Sequence, residues 1–141
     1  MMRELWTRDV AAYKGEFVKL APSRMWPKPA QRPSPPVLLG APAAERTFRR
    51  IARWADGWIT MGEVLSAADV ADLRQTWEAA ARDGSPRITA IHNPLPDAPP
   101  FADALAFAGD LGVERVLYHV FDGDRDRMVR RLDRAAAALN R

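Results

Sequence analysis

From residue 36 onward, short apolar runs alternate with longer stretches of helical periodicity. Val37-Leu38-Leu39, Trp58-Ile59-Thr60, Arg87-Ile88-Thr89-Ala90-Ile91 and Arg115-Val116-Leu117-Tyr118-His119-Val120 each read as a strand. Helices are predicted over about 45–55, 66–83, 101–111 and 125–139. Their inner faces are Val70, Leu73 and Trp77 in the second, Leu105, Ala108 and Leu111 in the third, and Met128, Val129, Leu132 and Ala136 in the last. Gly40, Gly84-Ser85-Pro86 and Gly112 punctuate the pattern where an element must stop. Strand followed by helix, four times over, is the signature of βαβ units on a parallel sheet, so the fold class is α/β. The units are roughly 20–30 residues long, close to the ~31 of a (β/α)₈ barrel. The pattern leaves two architectures open: half of such a barrel, or a small open sheet with helices on its faces.

The first 35 residues follow different rules. Of twelve prolines, seven fall between Pro22 and Pro42 and four between Pro94 and Pro100. Proline has no N–H to donate and clashes with a preceding helical turn, so neither cluster is helix interior or central strand. Residues 1–35 are therefore expected to be a helix remnant around Met2 to Tyr13, broken at Gly15, and an irregular, proline-rich excursion over 15–35. Residues 36–141 form the repeating α/β domain.

Composition narrows the class without naming a function. A chain of 141 residues, 48% hydrophobic, suffices for one packed domain. No run reaches the ~18 apolar residues of a membrane span, and the N-terminus lacks the apolar core of a secretory signal. With no cysteine there is neither a disulfide framework nor a thiolate metal site, and a cytoplasmic setting is expected. The net charge of +3 comes from eighteen arginines and three lysines interleaved with acids. Arg46, Arg49, Arg50 and Arg53, and Arg125, Arg127, Arg130, Arg131 and Arg134, read as solvated helix faces with local ion pairs, not as a nucleic-acid surface.

An ordered series of residues says more than the periodicity does. Leu5-Trp6-Thr7, Tyr13-Lys14-Gly15-Glu16-Phe17, Trp26-Pro27-Lys28-Pro29, Gln31, Pro33 and Pro35-Pro36-Val37-Leu38-Leu39-Gly40 lead into Arg46-Thr47-Phe48 and Ala55-Asp56-Gly57-Trp58. The series resembles the C-terminal half of the luciferase-like monooxygenase family, in particular the branch that uses the deazaflavin coenzyme F420. The resemblance is detailed over residues 3–60, and the rhythm of 61–141 agrees with the end of that family's barrel.

It implies a C-terminal half of a (β/α)₈ barrel, with Val37–Gly40 as the fifth barrel strand. It also implies hydride transfer between a substrate and F420, or reduced-flavin chemistry with FMN. The family's proton-transfer groups lie on its first four strands, so no position here inherits a catalytic role. The chain alone is expected to be inactive; the alternatives are a truncated, non-catalytic remnant and a half-barrel that only binds a phosphate ligand. What carries over is the cofactor-phosphate loop, here Gly40, Ala41, Pro42, Ala43 and Ala44. Gly40 matches the family's first glycine there, Ala41 stands in place of the second, and Ala44 in place of a further one. A half-barrel exposes two strand edges, so a homo-oligomer joined through them, or a marginal monomer, is expected of the chain made alone.

Three further candidates remain. His92 and His119 sit at strand C-termini, where barrel active sites gather, and are assigned a substrate-contact role in an intact barrel. Together with Asp122 they offer donors that suit a divalent metal, yet no ligand-spacing signature accompanies them and no metal is assigned. Asp122-Gly123-Asp124-Arg125-Asp126 imitates a calcium loop but has Arg127 where the glycine is required; Asp122 or Asp124 as a helix cap explains it better. Trp54, Trp58 and Trp77 are expected in packing, not in a cofactor stack.

Overall fold

A computed structural model describes residues 1–61, 65–93, 99–120 and 123–139. The chain divides into two compact units, Met1–Pro36 and Val37–Arg141.

The first unit opens with helix α1 (Met2–Thr7), followed by strands β1 (Ala11–Lys14) and β2 (Lys19–Ser23). These strands pair antiparallel, with a register irregularity between Ala11 and Tyr13. The Gly15 N–H donates to the Val18 carbonyl at 2.9 Å to close the turn. The expectation of a helix remnant reaching Tyr13 and an irregular run from 15 is thus corrected: 11–23 is a hairpin. Pro22 is tolerated within β2 because every strand of a two-stranded ribbon is an edge. Lys28 then ties the proline-rich segment to α1: its Nζ donates to the carbonyls of Leu5 (2.7 Å) and Arg8. It also lies 5.5 Å from the centre of the Trp26 ring. A cation at the negative end of a helix satisfies carbonyls that have no partner within it.

The second unit contains β3 (Leu38–Ala41), α2 (Glu45–Trp54), β4 (Gly57–Thr60), α3 (Ala67–Ala79), β5 (Arg87–His92), α4 (Phe101–Asp110), β6 (Arg115–Tyr118) and α5 (Arg125–Leu139). The four strands are parallel, in the spatial order β3-β4-β5-β6. Sequential order with right-handed crossovers puts every helix on the same face of the sheet. Trp58 and Ile88 on that face pack with Phe48, Ile51 and Ala55 of α2 and with Val70, Leu73 and Trp77 of α3. Phe48 meets the Trp58 ring edge-on, centroids 5.3 Å apart. Trp58 and Trp77 are therefore core, whereas Trp54 is exposed. Helices confined to one side of a singly wound parallel sheet make a half of a (β/α)₈ barrel, not an open sheet covered on both faces.

The Ala55-Asp56-Gly57-Trp58 sequence is the joint of this unit. The Asp56 carboxylate accepts the Val37 N–H at 2.7 Å, and the Asp56 N–H donates to the Val37 carbonyl at 2.7 Å. The Trp58 indole N–H donates to the Ala41 carbonyl at 2.8 Å. Arg82 closes α2 by donating to the carbonyls of Ala52 (2.9 Å) and Ala55 (3.0 Å) while lying over the Trp77 ring. Arg74 does the same for α4 through the Leu111 carbonyl at 2.6 Å.

Two details differ from expectation. α3 ends at Ala79, not Asp83, because Ala81 turns to a positive φ of 51°. In α5 the buried row is Ala135 with half-buried Met128, while Val129, Leu132 and Ala136 of the expected inner face are exposed. The sequence carries two apolar rows one residue apart, and the Ala135–Ala138 run gives no phase of its own.

At Gly57 a Cβ would lie 2.0 Å from the Arg87 backbone carbonyl oxygen. Gly57→Ala should therefore destabilise the fold by at least about 3 kcal/mol, the scale of forced overpacking in a core, as measured by urea denaturation. Arg82→Leu should cost about 1.5–3 kcal/mol, as expected for losing charged hydrogen bonds to carbonyls, in the same measurement.

Candidate functional site

Strand register sorts the side chains at the C-terminal end of the sheet. Leu39 pairs with Trp58 and Trp58 with Ile88, and these three face the helices. By alternation Gly40, Ile59, Thr89 and then Met61, Ile91 and Leu117 lie on the opposite, inner face. Met61 and Leu117 there are 47% and 43% exposed. At the end of β4, Thr60 turns to the helix side. Its hydroxyl accepts the Ile91 N–H at 2.8 Å, extending the β4–β5 ladder by one bond.

The expected phosphate loop joins β3 to α2. Ala44 is the N-cap, extended at φ −167°, ψ 149°, with no side-chain cap. The Thr47 and Phe48 N–H groups donate to its carbonyl at 2.9 and 3.0 Å. The N–H groups of Glu45 and Arg46 precede these bonds, so the helix provides them no acceptor. Glu45 puts an acid in this first turn, and Arg49 holds it in an ion pair at 2.9 Å.

Of the two replaced glycines, Ala44 is the extended N-cap and needs no positive φ. Ala41 shares its face with Thr60 and Leu39, so its methyl points under the helices and not onto the inner face. Gly40 is the position whose side chain would enter that face. Among the described residues a Cβ there would meet Met61, with Sδ 3.5 Å away, an ordinary contact.

The two histidines part company. His92 faces the helix side, stacked on Tyr118 with centroids 5.6 Å apart and tilted against Phe101 at 5.4 Å. Burial lowers its pKa below the usual histidine value, so its imidazole is neutral at pH 7. One residue further along each strand the alternation reverses, and exposed His119 pairs its Nδ1 with Asn93 Oδ1 at 2.8 Å. The imidazoles therefore do not converge on one point. Asp122, the third member of the considered metal set, lies outside the described residues. Among the described residues no group of three His, Asp or Glu side chains is placed to hold a metal. Asp124 caps α5, its Oδ1 accepting the N–H groups of Asp126 (2.8 Å) and Arg127 (3.0 Å).

Sequence reasoning missed Met61, Asn93, Thr60 and Tyr118; counting alternation outward from Trp58 and Ile88 would have found them. A groove between α2 and α3, on the outer face, is less suited to a ligand. Its Arg49 and Arg82 are already engaged with Glu45 and with the end of α2. No helix among the described residues is long and apolar enough to cross a membrane.

Comparison with known proteins agrees with this geometry. The family described as luciferase-like monooxygenase matches residues 1–100. The chain belongs to the luciferase-like monooxygenase family. An uncharacterized protein of Mycobacterium tuberculosis, Rv0953c, is 45% identical over 139 residues, covering 98% of this chain and 47% of its own length. The pyrimidine monooxygenase RutA of Allorhizobium ampelinum is 33% identical over 109 residues, covering 77% of this chain and 29% of that protein. The luciferase-like chain thus spans about half the length of the mycobacterial relative. Among solved structures, the monooxygenase RslO1 of Streptomyces bottropensis superposes with a TM-score of 0.52 at 21% identity. That match covers 98% of this chain and 37% of RslO1, a likeness of fold.

The lowered pKa of His92 gives a sign for acid sensitivity. The unfolded chain binds a proton near pH 6.5, whereas folded His92 resists it until a lower pH. Stability should fall as pH drops through about 6.5, and His92→Phe should flatten that slope, read as the urea midpoint between pH 7.5 and 5.5.

Proposed function

We propose that this chain is the cofactor-phosphate half of an F420- or FMN-dependent oxidoreductase of the luciferase-like type. The observation that carries the reading is the start of α2, which has no side-chain cap, beside Gly40, where among the described residues a Cβ would meet Met61 at ordinary contact distance. Helix-start N–H groups together with the helix dipole favour a phosphate there. The N–H groups of Glu45 and Arg46 would hold it, with the exposed Arg46 guanidinium adding charge; Pro42 has no N–H to contribute. Arg49, by pairing Glu45, reduces the repulsion that acid would exert on the anion.

Once bound, the cofactor supplies a two-electron hydride carrier. The chain's contribution is to anchor its phosphate and to line one wall of the ring site with Met61, Asn93 and His119. The Asn93 contact fixes the His119 imidazole, which makes it the better-placed of the two histidines to touch a substrate. His119 is also the one titratable side chain among the described residues at the strand ends that alternation turns inward. That supports a second reading, a half-barrel that binds a phosphate ligand without turnover.

Titration of the chain with F420 and with FMN, followed by cofactor fluorescence, tests the proposal. Saturable binding of at least one is expected. Gly40→Leu should weaken it at least about tenfold, equivalent to ~1.4 kcal/mol, while Ala41→Gly leaves it within about threefold. No fluorescence change with either cofactor at high micromolar protein would overturn the reading. Binding with no hydride transfer to a deazaflavin or flavin would favour the second one.

A further inference from the structure

We infer that two copies of this chain close into one eight-stranded barrel about a two-fold axis parallel to the strands. β6 of each copy would pair with β3 of the other. The inference rests on the sheet and helix flanks and is independent of which cofactor, if any, the loop takes.

Among the described residues the sheet has two edges without a strand partner, β3 and β6, and one face that no helix of this unit covers. Soluble parallel sheets are covered on both faces or closed into barrels. A two-fold axis perpendicular to the strands would join β6 to β6 antiparallel and leave both β3 edges and both inner faces open. An axis along the strands keeps all eight parallel, consumes both pairs of edges, and turns Leu117 and Met61 of each copy toward those of the other. Eight strands is the size at which side chains alone fill the interior. The strand-end site is then completed across the axis, each copy supplying the opposite wall.

The helix layer carries matching flanks. With right-handed crossovers, α4 lies on one side of α5 and the open edge on the other. The exposed row of α5, Val129, Leu132 (51% exposed), Ala136 and Leu139 (65% exposed), falls on the open side. On α2, Glu45 and Arg49 face α3, which puts exposed Trp54 and Arg50 on the other flank, above the β3 edge. Ring closure sets the apolar row of α5 against Trp54, with Asp133 at the rim on one side and Arg50 on the other. Both helices run opposite to the strands, so their C-terminal ends, Leu139 and Trp54, meet at the same level.

Sedimentation of the purified full chain over a wide concentration range tests this, with Leu117→Arg inside the barrel, Leu132→Glu on the flank, and Gln75→Glu in the α2–α3 groove as control. The expected result is a closed dimer of twice the 15.7 kDa protomer. Leu117→Arg and Leu132→Glu should raise its dissociation constant at least about tenfold, and Gln75→Glu should not. Should either variant lose its far-UV circular dichroism, the wild-type urea midpoint decides: it rises with protein concentration if two copies share a core and stays constant otherwise. A monomer at every concentration, a dimer indifferent to both variants, or open-ended polymers would overturn the inference. So would a chain that remains monomeric until the other half of the mycobacterial relative is added, since that half would then be what covers this face.

Discussion

Everything in the second unit follows from winding a parallel sheet in one direction only. Each right-handed crossover deposits its helix on the same side, so one face receives Phe48, Ile51, Val70, Leu73 and Trp77 and the other receives no helix of this unit. The covered face provides the core. The other face carries the proposed site, because alternation places Gly40, Met61, Asn93 and His119 on it at the strand ends. A doubly wound sheet would have buried both faces and placed its site at a crevice between strands instead. The same constraint creates the two open edges.

Within that frame the signature residues are mostly joints. Asp56 binds the start of β3 at both its carboxylate and its backbone, Gly57 lets β4 and β5 approach closely, and Trp58 ties the core to the β3 terminus. Lys28 plays the corresponding part in the first unit by closing α1. Arg82 and Arg74 close α2 and α4 from neighbouring segments. Two of the eighteen arginines thus have this use: a cation brought to a helix C-terminus from another element satisfies carbonyls that the helix itself leaves open.

The repeating part of the fold was legible because strand and helix periods differ sharply and because Gly84 and Gly112, both at positive φ, mark boundaries that sterics enforce, whereas β3 runs on through Gly40 to Ala41. The hairpin of 11–23 was not, because its strands are short, one contains a proline, and no long apolar alternation marks them. The phase of α5 was ambiguous for want of large apolar residues between Leu132 and Leu139: alanines fit any face. At the site, the loop over 40–44 was proposed from resemblance, and the structure describes it as the junction of β3 and α2. The separation of His92 from His119 was not, since composition at a strand end says nothing about parity. That parity emerges only when the register from Trp58 through Ile88 to His92 is followed residue by residue.

Parity also decides what the altered glycines mean. A phosphate held by backbone N–H groups makes few demands on side-chain identity, provided nothing intrudes at the point of approach. In this loop the strand's alternation assigns that point to Gly40, which is retained, while Ala41 carries its methyl beneath α2 and lends its carbonyl to Trp58. The proposed donors, moreover, belong to a helix start within a single βα unit, so the proposed anchoring would draw on β3 and α2. Ring chemistry differs in kind: it requires groups on both sides of a reacting plane, and one wall of a barrel can present only one side. The proposed anchoring is therefore physically separable from turnover: the first would rest on β3 and α2, the second on whatever faces them across the lumen.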